Sequence, residues 1–217
     1  RQLFLFCFFI PLFAGFFSIS FIYWVKINWV MPAYITGIIL ISTFFNHKWI
    51  RYQLIFSLIV HLGLAIEVLF YPLLIKSDDT WIGWGNLAER VKELKIKYHA
   101  AFVFSADDYK TSAVLDFYLD STVYGRNVIG ERALQFDFIG TDLHALQGND
   151  ALFINSIPNF KSDQKENEFP LSLPLYFSDI AELDPILIKK GDRTVRKFLV
   201  FYCKNYHMKS KPGAIQQ

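Results

Sequence analysis

The sequence predicts a portion of a membrane α-helical bundle, with three transmembrane helices, followed by an extracytoplasmic α/β domain. Two observations carry that expectation. Three long apolar runs, Leu3–Val25, Pro32–Phe45 and Tyr52–Ile75, occupy the first third of the 217 residues. After them the chain becomes charged and alternates short apolar runs with amphipathic ones. A helix that crosses a bilayer needs about 20 apolar residues. The first and third runs reach that length; the second does so only if Trp29–Met31 and Asn46 serve as its interfacial ends. The expected spans are therefore 3–25, 30–46 and 52–75, with an α/β domain over 77–207 and a frayed tail over 208–217. The runs carry Phe, Ile and Leu around the whole helix, without the polar face of a surface helix.

Composition agrees with this division. The hydrophobic fraction of 53% is only slightly high, because the polar two thirds dilute the apolar third. The 23 Phe residues are a stronger sign of lipid contact. A net charge of +2 without a basic run sets nucleic acid aside as a partner. The chain opens on Arg1 and enters an apolar run at once. That run is too long for the core of a signal peptide and no small-residue cleavage site follows it, so a membrane helix is expected. An abrupt start without Met suggests the C-terminal part of a larger polytopic protein.

Charge in the loops sets the expected topology. Asn46-His47-Lys48-Trp49-Ile50-Arg51 is the most basic short loop and is assigned to the cytoplasmic side. The Lys26–Met31 loop then faces outward, and the third helix delivers everything after Lys76 to the extracytoplasmic side. Cys7 and Cys203 leave that domain with a single thiol and no internal disulfide.

In the polar part, Leu87, Val91 and Leu94 have helical spacing within Asn86–Tyr98. Ala100–Ser105 reads as a buried strand, and Asp107-Asp108 as the cap of a helix over 109–119. Thr122–Tyr124 and Ala151–Asn155 are further strands, and the alternation favours a parallel sheet. Lys161–Glu168 is a solvated loop. Pro185–Lys189 and Lys197–Tyr202 flank Lys190-Gly191-Asp192-Arg193, a hairpin signal.

The Lys26–Tyr34 segment admits two readings. Trp29 and Tyr34 suit a headgroup-level aromatic belt, and Pro32 suits a first helical turn, which makes the segment an ordinary interfacial turn. Alternatively, Lys26, Asn28 and the new helix N-terminus supply positive charge and donors to a phosphorylated lipid. His61 and Glu67, inside the third run, are candidate intramembrane polar residues, because ionisable groups in lipid are costly. Six positions apart, they do not share a face. Trp81 and Trp84 read as interfacial anchors, Phe117-Tyr118-Leu119 as the apolar face of its helix, and Gln135-Phe136-Asp137 as a strand end. No His, Cys, Asp or Glu cluster has metal-ligand spacing, so no cofactor or metal is expected in this part of the protein.

The stretch "KINWVMPAY" resembles the Asn/His-Trp-x-x-Pro-Ala-Tyr segment of bacterial membrane glycosyltransferases of the protein-mannosyltransferase and aminoarabinose-transferase kind. Gly83-Trp84-x-x-Leu87-Ala88, "FVFSADDYKTSAVLDFYL" and "ALQFDF" are similar to the periplasmic tail of the same enzymes. The resemblance runs from about Trp24 to Asn155. It implies a GT-C fold in the bacterial inner membrane, multi-pass, with the C-terminal domain extracytoplasmic. It also implies an activity: transfer of a sugar from a polyprenyl-phosphate donor to a lipid, glycan or protein acceptor. Lys26, Asn28, Trp29 and Tyr34 would contact the donor lipid phosphate; Asp108 and Tyr109, which follow the Phe102–Ser105 strand at the end where α/β sheets bind ligands, are acceptor-side candidates, with helix capping as the alternative for the Asp. Lys110 departs from the family pattern, where an uncharged polar residue is usual. The family keeps its essential acids in its first extracytoplasmic loop, so the catalytic residues are expected upstream of Arg1. A divalent metal is possible in the full protein. The competing expectation is a non-enzymatic, membrane-anchored α/β module that binds a glycan or a partner protein.

Overall fold

The computed structural model describes residues 2–23, 25–43, 46–73, 81–107, 109–138, 142–165 and 170–208. The chain divides into two compact units, 1–70 and 71–217.

The first unit is helical. Helix α1 is Gln2–Ile19, α2 is Met31–Ser42 and α3 is His47–Phe70. A 3-10 turn, Ile27–Val30, leads into α2, where Pro32 sits in the first turn, its missing N–H being an orphan there in any case. Helices α1 and α2 pack closely. A Cβ at Gly37 would lie 2.8 Å from the Phe9 ring, and Ala33 and Leu40 are buried beside it. Small residues let two backbones approach in this way.

Of the three, α3 alone is long and apolar enough to cross a membrane; α1 and α2 are shorter apolar helices. At 1.5 Å per residue, α2 extends only about 18 Å against a hydrocarbon core of about 30 Å. The first two predicted spans are shortened, and the third is shifted, α3 keeping 24 residues but beginning five residues earlier than expected. Ser20 Oγ donates to the Phe17 carbonyl just past α1. Ser42 and Thr43 hydroxyls donate to the Ile39 and Leu40 carbonyls at the end of α2. Helix α3 stops where Tyr71 turns left-handed (φ 46°) ahead of Pro72, which cannot continue a helix. The basic segment 47–51, expected as a loop, is the first turn of α3. Asn46 caps it, its Oδ1 accepting from the Lys48 and Trp49 amides at 3.1 Å each.

The second unit is a sheet covered on both faces. Strands β1 (Phe102–Phe104), β2 (Val123–Tyr124), β3 (Ala151–Ser156), β4 (Phe177–Glu182), β5 (Ile186–Lys190) and β6 (Arg193–Tyr206) form one sheet in the order β2-β1-β3-β6-β4, with β5 also paired to β6. Helices α4 (Trp84–Lys97) and α5 (Lys110–Tyr118) cover one face, where Leu87, Val91 and Leu115 meet Val103, Leu152, Ile154 and Val200. Short 3-10 turns cover the other, where Phe102, Phe104, Phe153 and Phe201 pack with Val128, Leu173 and Tyr206.

The sheet is mixed: the parallel layer expected is found in β1, β2 and β3 and the expected hairpin in β5 and β6, while the antiparallel joining of β6 to β3 and β4 was not expected. Strands β1, β2 and β3 are parallel, but β6 runs antiparallel to β3, β4 and β5. A parallel return needs a crossover of a dozen or more residues, usually helical. The two-residue Gly191-Asp192 connection instead forces β5 and β6 antiparallel.

Other expectations shift too. Trp84 is buried, with the Arg196 guanidinium 3.7 Å above its ring and Phe198 at 5.7 Å, so it belongs to the core rather than to an interface. Trp81 stays half exposed against Tyr71. Leu134–Asp137 is a 3-10 turn and not a strand end; Asp137 accepts the Ala133 amide, and Phe136 is buried close to Gly125. Leu119 is buried, but Phe117 and Tyr118 point outward, because the buried face of α5 runs through Thr111, Ser112 and Leu115.

Candidate functional site

In the helical unit the reversal between α1 and α2 holds four predicted site residues. Val25 and Val30 turn inward, and the intervening 3-10 turn leaves Lys26, Asn28 and Trp29 on the surface. The Trp29 amide donates to the Lys26 carbonyl at 3.0 Å, which closes the turn. Tyr34 follows on the first turn of α2 and is also exposed. The Trp29 ring leans on Phe16 of α1 with centroids 6.3 Å apart, so its orientation is fixed by packing while its edge stays open. The reversal thus presents one ammonium, one amide and two amphipathic rings between two apolar helices. That set can bind an anionic headgroup and seat in a membrane interface.

On α3, His61 is exposed and its Nδ1 donates to the Ser57 carbonyl one turn earlier (2.7 Å), with Ser57 Oγ 3.3 Å away. This local bond satisfies the ring within an apolar helix. Glu67 lies partly buried, six positions on and on another side. The helix does not bring the two together.

In the α/β unit the strand order changes direction between β1 and β3. From β1 the chain runs through α5 to β2 on one side, whereas β3 leads towards β4 and β6 on the other. In α/β sheets ligands bind outside the carboxyl ends of strands at such a switch point. Asp107 occupies it. One of its oxygens accepts from Ser105 Oγ, and the other accepts from Thr111 Oγ1 at 2.5 Å and from the Ser156 amide at 3.2 Å. The carboxylate therefore joins the end of β1, the first turn of α5 and the end of β3. Ser105 and Thr111 are fully buried, and Ser156 nearly so.

The residue before α5 is Tyr109, with no side-chain cap of its own, and Asp107 binds the Thr111 hydroxyl in the first turn of the helix. Of the acceptor-side candidates, Tyr109 is 40% exposed, and Asp108 lies outside the described residues. The sequence shows an Asp before a helix, but not the Ser156 amide that makes Asp107 a bridge between strands.

Among the described residues no group of three or more His, Cys, Asp or Glu side chains is placed to hold a metal ion. Cys203 is buried on β6, and burial pushes its thiol far above the ordinary range. Comparison with protein-family models, with curated proteins and with solved structures yields no match.

Proposed function

We propose that the chain is part of an integral-membrane glycosyltransferase that moves a sugar from a polyprenyl-phosphate donor to a lipid, glycan or protein acceptor. The observation that carries this reading is the Lys26–Tyr34 reversal, which resembles the glycosyltransferase segment in sequence and leaves Lys26, Asn28, Trp29 and Tyr34 exposed between apolar helices. In this reading Lys26 is the point charge for the lipid phosphate, Asn28 donates its amide, and Trp29 and Tyr34 hold the reversal at headgroup depth. The apolar surfaces of α1, α2 and α3 face lipid or further helices of a multi-pass protein in the inner membrane, and the α/β unit works on the extracytoplasmic, acceptor side. No acid among these residues takes the catalytic role.

Binding of a polyprenyl phosphate to the chain in phosphatidylcholine nanodiscs tests the reading, with Trp29 fluorescence as the signal. Lys26→Ala is expected to weaken binding about tenfold, the effect of one charge-assisted hydrogen bond, and to leave the far-ultraviolet spectrum unchanged. Equal affinity in the two proteins removes the donor-side assignment. The second reading, a membrane-anchored module without enzymatic activity, draws on the open groove of about 520 Å³ between α4 and β5. It requires glycan or protein binding at the α/β unit with no dependence on Lys26.

A further inference from the structure

The C-terminal half of α4 holds a cluster that neither reading uses. Lys92 and Lys95 stand at i and i+3 and share one face of α4, and His99 follows two residues past its end, where the Ala100 amide donates to the Lys95 carbonyl and closes the helix. They line an open pocket of about 460 Å³, closed opposite by Leu119, Asp120 and Ser121 from the segment after α5. That volume is within the range of small-molecule sites, about 300–1,000 Å³.

Lys95 is tied across the pocket. Its Nζ donates to Ser121 Oγ at 2.9 Å, and burial pulls its ammonium below the ordinary lysine range. One of the three ammonium donors is thereby used and the amine is held in place. Lys92 is only loosely paired, 3.8 Å from Asp120, whose side chain is 98% exposed. His99 adopts a left-handed backbone (φ 52°), uncommon for a residue other than glycine, and makes no side-chain hydrogen bond among the described residues. A helix C-terminus attracts basic side chains through its dipole. The dipole accounts neither for a concavity nor for a lysine drawn into it against the loss of hydration.

We infer that this pocket binds a phosphate group, carried by a small soluble molecule or by a lipid headgroup. Two ammonium groups favour a dianion over a carboxylate, and the His99 ring and Ser121 hydroxyl add hydrogen-bonding capacity. An anion would also offset the hydration that Lys95 loses in the pocket. Leu119 gives the floor an apolar surface for whatever bears the phosphate. The site stands on the α/β unit alone and does not depend on the transferase reading.

Histidine ring resonances of the full chain in phosphatidylcholine nanodiscs provide the test, with the His99 signals assigned through His99→Gln. Inorganic phosphate is expected to shift the His99 resonances saturably. Lys95→Met, which keeps the length of the stem, and Lys92→Met should each weaken the effect about tenfold, as expected for the loss of one charge-assisted contact. Phosphatidic acid in the nanodisc is the second arm. A shift with free phosphate assigns a soluble ligand; one seen only with phosphatidic acid assigns a lipid headgroup. The proposal is overturned if neither probe moves His99, or if both Met variants bind as the wild type does.

Discussion

Gly83→Ala tests how the α/β unit accepts its first helix. Gly83 precedes α4 with φ +84°, and a Cβ built there would fall 2.3 Å from Ile188 Cγ2, 3.1 Å from its Cγ1 and 3.2 Å from its Cβ. Two penalties add. The left-handed conformation costs a residue with a side chain about 1–2 kcal/mol. Overpacking adds about 1–3 kcal/mol more, because Ile188 is β-branched, buried and paired within β5, so its methyl groups cannot move without the strand. A total of about 2–5 kcal/mol is a large part of the roughly 5–15 kcal/mol that keeps a domain folded. Pulse proteolysis in urea, on the full chain in detergent, measures the loss. Ile188→Ala removes both clashing carbons and costs about 2–5 kcal/mol alone through the cavity it leaves. In the double variant the two costs should sum to less than their separate values, by about the 1–3 kcal/mol of relieved overpacking. A single-variant loss under about 0.5 kcal/mol, or strict additivity in the cycle, would refute the packing argument.

Three further outcomes follow from the α/β unit. Gly130→Ala (φ +74°) places a Cβ 2.1 Å from the Tyr176 hydroxyl, so it should destabilise, and adding Tyr176→Phe should recover part of the loss in the same assay. Asp107→Ala strands Ser105, Thr111 and the Ser156 amide and is expected to cost about 1–3 kcal/mol or more, with faster amide exchange at the ends of β1 and β3. The Tyr202 hydroxyl donates to Asp150, and that bond pushes its pKa up to about 12. A tyrosine raised in the folded state stabilises fully below its unfolded value near 10 and loses that contribution as pH climbs through about 12. Wild type and Tyr202→Phe, compared by denaturation across that window, should therefore converge at its alkaline end.

Local patterns made much of the α/β unit legible. The Ala100–Ser105 run contains β1, the Leu87, Val91 and Leu94 spacing marks α4, and Gly191-Asp192 marks the β5–β6 turn. Strand β4 left no such trace, because an edge strand alternates weakly and Ser178, Asp179 and Ala181 face solvent. Trp84 was misread for a different reason. Its place just past an apolar run suggests a membrane interface, and residues distant in sequence, Arg196 and Phe198 among them, make it a core residue. The same limit applies to the sites. Lys92 and Lys95 share a face by spacing alone, but the pocket needs His99, past the end of that helix, and Ser121, from beyond another helix. At the Lys26–Tyr34 reversal, Pro32 announces the turn, while its assignment to a lipid phosphate rests on resemblance.

The surroundings of α3 admit a direct test. A helix draws most of its stability in proteins from packing one face, and α3 has no buried residue. Leu54, Leu58, Leu62 and Leu69 are each at least 60% exposed. Burying a leucine is worth about 1.5–3 kcal/mol, so water is a poor environment for a helix of this kind, and its length of about 36 Å exceeds the bilayer's apolar core of about 30 Å. In a background of Cys7→Ser and Cys203→Ser, single variants Lys48→Cys, Leu62→Cys and Phe70→Cys can be exposed to a membrane-impermeant maleimide in nanodiscs, where both leaflets are accessible. If α3 spans the bilayer, Lys48→Cys and Phe70→Cys react and Leu62→Cys stays unlabelled until detergent is added. Equal labelling of all three would place the middle of α3 in water and remove the membrane premise on which the donor-lipid reading depends.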